Sequence, residues 1–401
     1  MSADATAPFG RIRRGFRHGE RWLTVVIIVA MAILPTLEAV SRRLGVAGIP
    51  GSLLFTQHLT LWIGFLGALL ASGSGKHLAL ASGALLPETW RGPARIYVGA
   101  LSAGVTAILT YASALLVQAD ATMPRTLPGG IPEWTSELVM PVALALMAVR
   151  FVWHAADTLR DRALAFALTI VFATVGLWAG EASLLLVPAT LAIFAALLLG
   201  APVFVAMAGM AMLLFFHDGT PIASVPAETY RLVASATLPA IPLLTAAGYV
   251  LAQGGASTRL LRLARALVGW LPGGMALMVT LVCAAFTTFT GGSGVTILAL
   301  GGLMLPLLVG EGYPRGFSIG LITSAGSLGL LFPPSLPVIL YAVVAQTSVE
   351  DLFIAGFVPG LLLIFFVSLY SVIYGARLKA PRQAFVPREA AVALWGAKWE
   401  L

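Results

Sequence analysis

Apolar runs of roughly 20 residues recur along this chain from Trp22 to Tyr374, and that is the length one helix needs to cross the hydrocarbon of a bilayer. Of the 401 residues 59% are apolar and only 10% charged, where an ordinary soluble domain carries about 25% charged residues. A soluble fold is excluded. Because backbone N–H and C=O groups in lipid must be paired within the protein, the runs are read as helices. Spans are expected near residues 22–40, 53–71, 94–118, 136–153, 163–180, 184–199, 202–216, 238–251, 317–344 and 352–374. The fold class is thus an all-α polytopic membrane protein of about ten transmembrane helices, with one long apolar stretch, 273–309, still to be assigned.

The net charge of +7 would point to nucleic acid in a soluble protein, but here the Arg and Lys residues cluster between apolar runs and report orientation instead. No nucleic-acid partner is expected. Arg11, Arg13 and Arg14 have a twin-arginine look, yet the apolar run that follows is too long for a signal core and lacks a small-x-small cleavage site. Stretch 273–309 is interrupted at its centre by Thr290, Gly291, Gly292, Ser293 and Gly294. If it enters and returns on one side, all but Arg42, Arg43, Arg125 and Arg231 of the 24 basic residues fall on the cytoplasmic face. A full crossing would move the basic C-terminal segment outward and break that asymmetry. The stretch therefore reads as a re-entrant helical hairpin open to the cytoplasm, and both termini are expected to be cytoplasmic. Arg259, Arg262 and Arg265 recur every three residues among leucines, the pattern of an interfacial helix in contact with membrane lipid. The outer loops 120–133 and 217–230, rich in Pro and Gly, are expected to be turns.

Helices break at membrane depth only where the freed backbone faces protein, water or a ligand. The hairpin tip is one such break: Gly291, Gly292 and Gly294 permit the reversal, Thr290, Ser293 and Thr296 supply hydroxyls, and the second arm begins there with free N–H groups. The second break runs from Gly326 and Ser327 through Gly329 and Leu330 to Pro333, Pro334 and Ser335. Its two prolines remove N–H donors, so carbonyls over 326–331 lose partners and become hard ligands. With Ser293 they suit Na⁺. Glu38, Glu137, Glu181, Glu228, Glu311, Glu350 and Asp351 all fall at span ends or in loops, so a proton relay lacks its titrating group and Na⁺ coupling is favoured over H⁺. The lone Cys283 and the scattered His residues offer neither a disulfide nor metal-ligand spacing, and no cofactor is expected. Gly291 to Gly294 also match the G-x-S-G around the nucleophile of rhomboid-type proteases, but no His follows Ser293 to serve as base. The chain is not expected to be an enzyme, and no residue is assigned a catalytic role.

Several blocks, in order, resemble the membrane part of tripartite ATP-independent periplasmic (TRAP) transporters. Leu37 to Arg42, Leu61 to Ala68, and Lys76 with His77 resemble the small four-helix subunit. From Leu199 onward the chain resembles the large subunit, in Ala240 to Leu243, Ala247-Gly248, Thr287 to Thr296, Gly312-Tyr313, Gly326 to Ser335 with Tyr341, Leu352 to Gly356, and Pro359-Gly360. The resemblance implies a cation-coupled secondary importer of organic acids in the bacterial inner membrane. By the same resemblance a soluble periplasmic binding protein delivers the carboxylate substrate, and an elevator motion carries it. The hairpin tip and the Pro-Pro break are then parts of one ion site, in which Gly292 stands where a serine is frequent and a carbonyl replaces the hydroxyl.

The expected organisation is a small-subunit-like domain over 1–158, a linker transmembrane helix over 159–182, the first large-subunit-like repeat over 183–380 with its hairpin at 273–309, and an amphipathic cytoplasmic tail over 381–401. Since the family's large subunit has two inverted repeats, this chain is expected to encode half of an inverted-repeat elevator, completed by a second membrane polypeptide. The alternative is a truncated, non-transporting membrane scaffold.

Overall fold

A computed structural model describes residues 8–80, 83, 85–179, 183–380 and 384–398. Glu181, Arg382 and residues 399–401 lie outside the described residues. Two compact units divide the chain, Met1–Ala236 and Thr237–Leu401.

The first unit contains α1 (Pro8–Arg43), α2 (Ser52–Ser74), α3 (Glu88–Thr122), a two-stranded ribbon of β1 (Thr126–Leu127) and β2 (Ile131–Pro132), α4 (Trp134–Glu137), α5 (Val139–Ala155), α6 (Leu159–Ala179), α7 (Ser183–Leu198), α8 (Val203–His217) and α9 (Ser224–Val233). Helix α3 is its centre: two thirds of its most apolar stretch is buried, against a third or less for α1, α2, α5 and α6. Lipid tails are as apolar as leucine, so what holds these helices together is close packing and interhelical hydrogen bonding. The α3 sequence supplies both. A β-carbon on Gly99 would lie 2.5 Å from that of Ala155 in α5, and one on Gly104 would lie 3.0 Å from Cβ of Phe172 in α6. The Tyr97 hydroxyl donates to Ala192 O in α7 at 2.7 Å, and Thr169 Oγ1 donates to Ala100 O at 3.3 Å.

One feature of this unit departs from the sequence reading. Segment 217–230 is not all turn, because α9 forms within it, with Val225 and Pro226 buried and an Arg231–Glu228 pair at 2.7 Å spanning one helical turn. A proline is tolerated in a helix's first turn, where its missing N–H has no partner to lose. Helices α7 and α8 belong to this compact unit, whose last residue is Ala236. Leu78 O accepts from Val203 N at 2.9 Å, and His77 sits between Phe151 and Phe204 with ring centroids 5.6 and 5.1 Å away.

The second unit contains α10 (Ala240–Gln253), α11 (Ala256–Val268), α12 (Gly274–Thr290), α13 (Ser293–Gly310), α14 (Arg315–Leu328), a 3₁₀ turn (Gly329–Leu331), α15 (Leu336–Ala345), α16 (Val349–Arg377) and α17 (Pro387–Gly396). Its core is built around α12: Met278, Val282, Cys283 and Phe286 pack with Leu300 and Met304 of α13 and with Leu321 and Ala325 of α14. Cys283 is fully buried there as a small apolar residue. Gly273, at φ +71°, lets α12 start against α16, where any β-carbon would lie 2.7 Å from Ser371 O.

Seven helices among the described residues are long and apolar enough to cross a membrane, or eight if α14 and α15, bent by 47°, form one broken span. The chain is an all-α polytopic membrane protein. The remaining expected spans correspond to the shorter apolar helices in α7, α8 and α10, with α12 as the first arm of the expected hairpin.

Candidate functional site

Both sequence breaks lie in the second unit. Helix α12 ends at Gly291, in the left-handed region at φ +63°, whose N–H closes onto Thr287 O at 2.8 Å. Gly292, extended, then opens α13. A β-carbon on Gly291 would lie 2.5 Å from Cγ of Leu336 and 3.2 Å from Pro334 O. Only glycine satisfies both the backbone angle and that approach. The tip between α12 and α13 is therefore seated on the Pro-Pro segment, which lies more than forty residues further along the chain.

A cluster of hydroxyls stands behind the tip. Thr287, Thr290 and Thr296 are all fully buried. Thr287 Oγ1 lies 2.7 Å from Cys283 O, 2.9 Å from Thr296 Oγ1 and 3.0 Å from Gly326 O, so its single proton serves one of three acceptors at a time. Thr290 and Thr296 share a hydrogen bond of 2.8 Å. In the second break Gly329 approaches α12 so closely that a β-carbon would lie 2.3 Å from Ala284 O. Phe332 N donates to Gly329 O at 3.2 Å, the Pro333–Pro334 bond is cis, and Ser335 caps the start of α15. The Ser335 hydroxyl is fully buried and has no hydrogen-bond partner among the described residues.

Of the sequence-derived candidates, Thr290, Gly291, Thr296, Gly326, Gly329, Pro334 and Ser335 thus lie where the two breaks meet. Gly292, Ser293 and Leu330 are half-buried, whereas Gly294, Ser327 and Pro333 are exposed. Ser327 Oγ turns back to Thr323 O at 3.4 Å. Gly326 O and Gly329 O, expected to be unpaired, each face a donor, the Thr287 hydroxyl and Phe332 N. Thr287 was missed by sequence reasoning. Its spacing from Thr290, one helical turn on, was the available signal. None of the residues named at the two breaks is acidic.

The arrangement offers neutral oxygens for a hard cation beside the N-terminal turn of α13, whose unpaired N–H groups carry partial positive charge. The exposed guanidinium groups of Arg259, Arg262 and Arg265 lie on α11, where Arg265 approaches Glu311 to 4.0 Å and Leu260 joins the core.

Carboxylates gather instead in the first unit. Glu20 is buried and paired with Arg150 at 2.5 Å. Glu137 is 1% exposed at the α4–α5 junction, a helix end as the sequence reading placed it. Glu133 accepts from the Tyr230 hydroxyl, and burial together with that bond holds the phenol above its ordinary pKa.

Residues 31–161 match the family described as tripartite ATP-independent periplasmic transporters, DctQ component, and residues 190–399 match the DctM component of the same transporters. The chain is 32% identical over 326 residues to the isethionate TRAP transporter permease protein DctMQ of Oleidesulfovibrio alaskensis, covering 79% of this chain and 51% of that protein. It is 35% identical over 212 residues to the C4-dicarboxylate TRAP transporter large permease protein DctM of Vibrio cholerae (51% and 46% covered). Against the ectoine/5-hydroxyectoine large permease protein UehC of Ruegeria pomeroyi the identity is 32% over 190 residues (47% and 44%). The chain spans about half the length of the curated relatives it matches.

Proposed function

The chain belongs to the tripartite ATP-independent periplasmic transporter family, with small and large permease components in one polypeptide, and from that premise we propose that it is a membrane component of a Na⁺-coupled importer of organic acids in the bacterial inner membrane. The seating of the Gly291 tip on Pro334 and Leu336, beside the unpartnered buried hydroxyl of Ser335, carries the reading. Na⁺ takes oxygen ligands without a titrating group, and the Thr290, Ser293 and Ser335 hydroxyls with the Gly326 and Gly329 carbonyls are the oxygens on offer. The substrate carboxylate is drawn to the positive N-terminal turn of α13. A soluble periplasmic protein delivers that substrate.

The α12–α13 pair enters and leaves from the cytoplasmic side, as the distribution of basic residues requires, and the second unit moves as an elevator. A second membrane polypeptide carrying the inverted repeat covers the site. Support comes from α16, which exposes Ile354, Phe357, Leu361 and Phe365, and from the cost of several kcal/mol for each backbone group left unpaired in hydrocarbon.

The test is uptake of a C4-dicarboxylate into vesicles holding this chain, its membrane partner and a periplasmic binding protein. Uptake should require a Na⁺ gradient and the binding protein, and Ser293→Ala should weaken the Na⁺ dependence while inserting normally. Uptake driven equally by a proton gradient alone would overturn the Na⁺ assignment. Robust uptake by this chain without a second membrane component would overturn the two-polypeptide reading.

A further inference from the structure

We propose that α11 and α17 together form a docking surface for the anionic phospholipid headgroups of the bilayer. Neither helix is among those long and apolar enough to cross a membrane. They are joined along a seam of small and apolar residues, Leu263 and Ala266 of α11 with Ala393 of α17 and Ala397 at its C-terminal end. Packing at the seam leaves large side chains outside it. Trp395 is 73% exposed and Trp270 49%, with Val392 and Phe385 also turned outward.

These exposed groups have the chemistry of a membrane–water boundary. The Trp270 ring meets Phe385 edge-on, centroids 6.5 Å apart, and Lys398 Nζ lies 4.2 Å from the centre of the Trp395 ring. Tryptophan settles at headgroup depth because one end of the ring is apolar and the other polar, and basic side chains extend past such rings to reach phosphate. Arg259, Arg262 and Arg265 are exposed on α11, which has no acidic residue of its own, and Arg388 and Lys398 add to them, against Glu389 on α17 and Glu311, which Arg265 approaches. Aromatic anchors beside a surplus of basic over acidic side chains are complementary to a negatively charged leaflet, not to a neutral one. The two-helix surface deepens the reading of α11 as an interfacial helix and rests on it.

A fluorophore sensitive to polarity, attached at Val392→Cys in a Cys283→Ala background, reports directly on the surface. The chain is reconstituted in nanodiscs of phosphatidylcholine alone or with added phosphatidylglycerol. The emission should shift to the blue in the anionic discs, the shift should shrink at high salt, and it should be lost in the triple variant Arg259→Gln, Arg262→Gln, Arg265→Gln. If the triple variant does not fold, the pair Arg388→Gln and Lys398→Gln should reduce the shift from the other helix. Equal emission in the two lipid compositions would overturn the proposal, as would a full shift in every charge variant. A shift reproduced in detergent by inorganic phosphate would also overturn it, by assigning the surface to a free anion. The readout involves no transport, so its failure would leave the importer reading untouched.

Discussion

Ser335 carries a fully buried hydroxyl that finds no hydrogen-bond partner among the described residues. Burial of such a group costs about 1–3 kcal/mol unless a ligand or water meets it. Ser335→Ala should therefore leave the thermal stability of the detergent-solubilised protein unchanged or higher in Na⁺-free buffer, while reducing the stabilisation that added Na⁺ gives the wild type. Equal Na⁺ stabilisation of both proteins would remove Ser335 from the proposed ion site. His77 presents the opposite case of a titrating group in an apolar setting. Between Phe151 and Phe204, burial holds its imidazole below the ordinary pKa, so the neutral form is favoured in the fold. As pH falls through about 6.5 the unfolded chain takes up the proton first, and stability present above that pH is lost. In His77→Leu the loss of melting temperature between pH 8 and pH 5.5 should be smaller than in the wild type.

At the scale of elements, the Glu20–Arg150 pair ties α1 to α5, and Arg150 Nη1 reaches on to Leu69 O of α2 at 2.5 Å. Both partners are largely buried, so removing one strands the other's charge, at a cost of about 3–5 kcal/mol. Arg150→Met alone should lower the melting temperature clearly, and Glu20→Leu combined with Arg150→Met should recover part of that loss. A double variant no better than the single one would show that the link to Leu69 O, and not the ion pair, holds the three helices. This contact had no sequence signal. Arg150 was legible as a cytoplasmic charge, but its partner lies 130 positions away and only packing brings them together.

At the scale of the molecule, the orientation rests on charge and is open to direct measurement. Single cysteines at the exposed positions 258 and 316, in a Cys283→Ala background, flank the α12–α13 pair. Both should react with an impermeant thiol reagent in inverted vesicles and stay protected in right-side-out ones, and reaction of the two from opposite sides would mean that the pair crosses the membrane fully.

Hydropathy by itself determined that this chain is an all-α membrane protein and where most of its helices run, because pairing of backbone groups in lipid leaves helix as the outcome for each apolar run. The ordered blocks from Leu37 to Gly360 were likewise enough to identify the family. Gly291 and the prolines at 333 and 334 marked the two breaks, since each removes a helical option locally. What the sequence did not contain was the meeting of those breaks, the bridging by Thr287, or the burial of Glu137. Each depends on which helix faces lie against one another, and in a bilayer leucine against lipid and leucine against leucine are nearly equal in free energy. The choice of partner passes to close contacts and buried hydrogen bonds between residues far apart in sequence, and those exist only once the tertiary structure has formed.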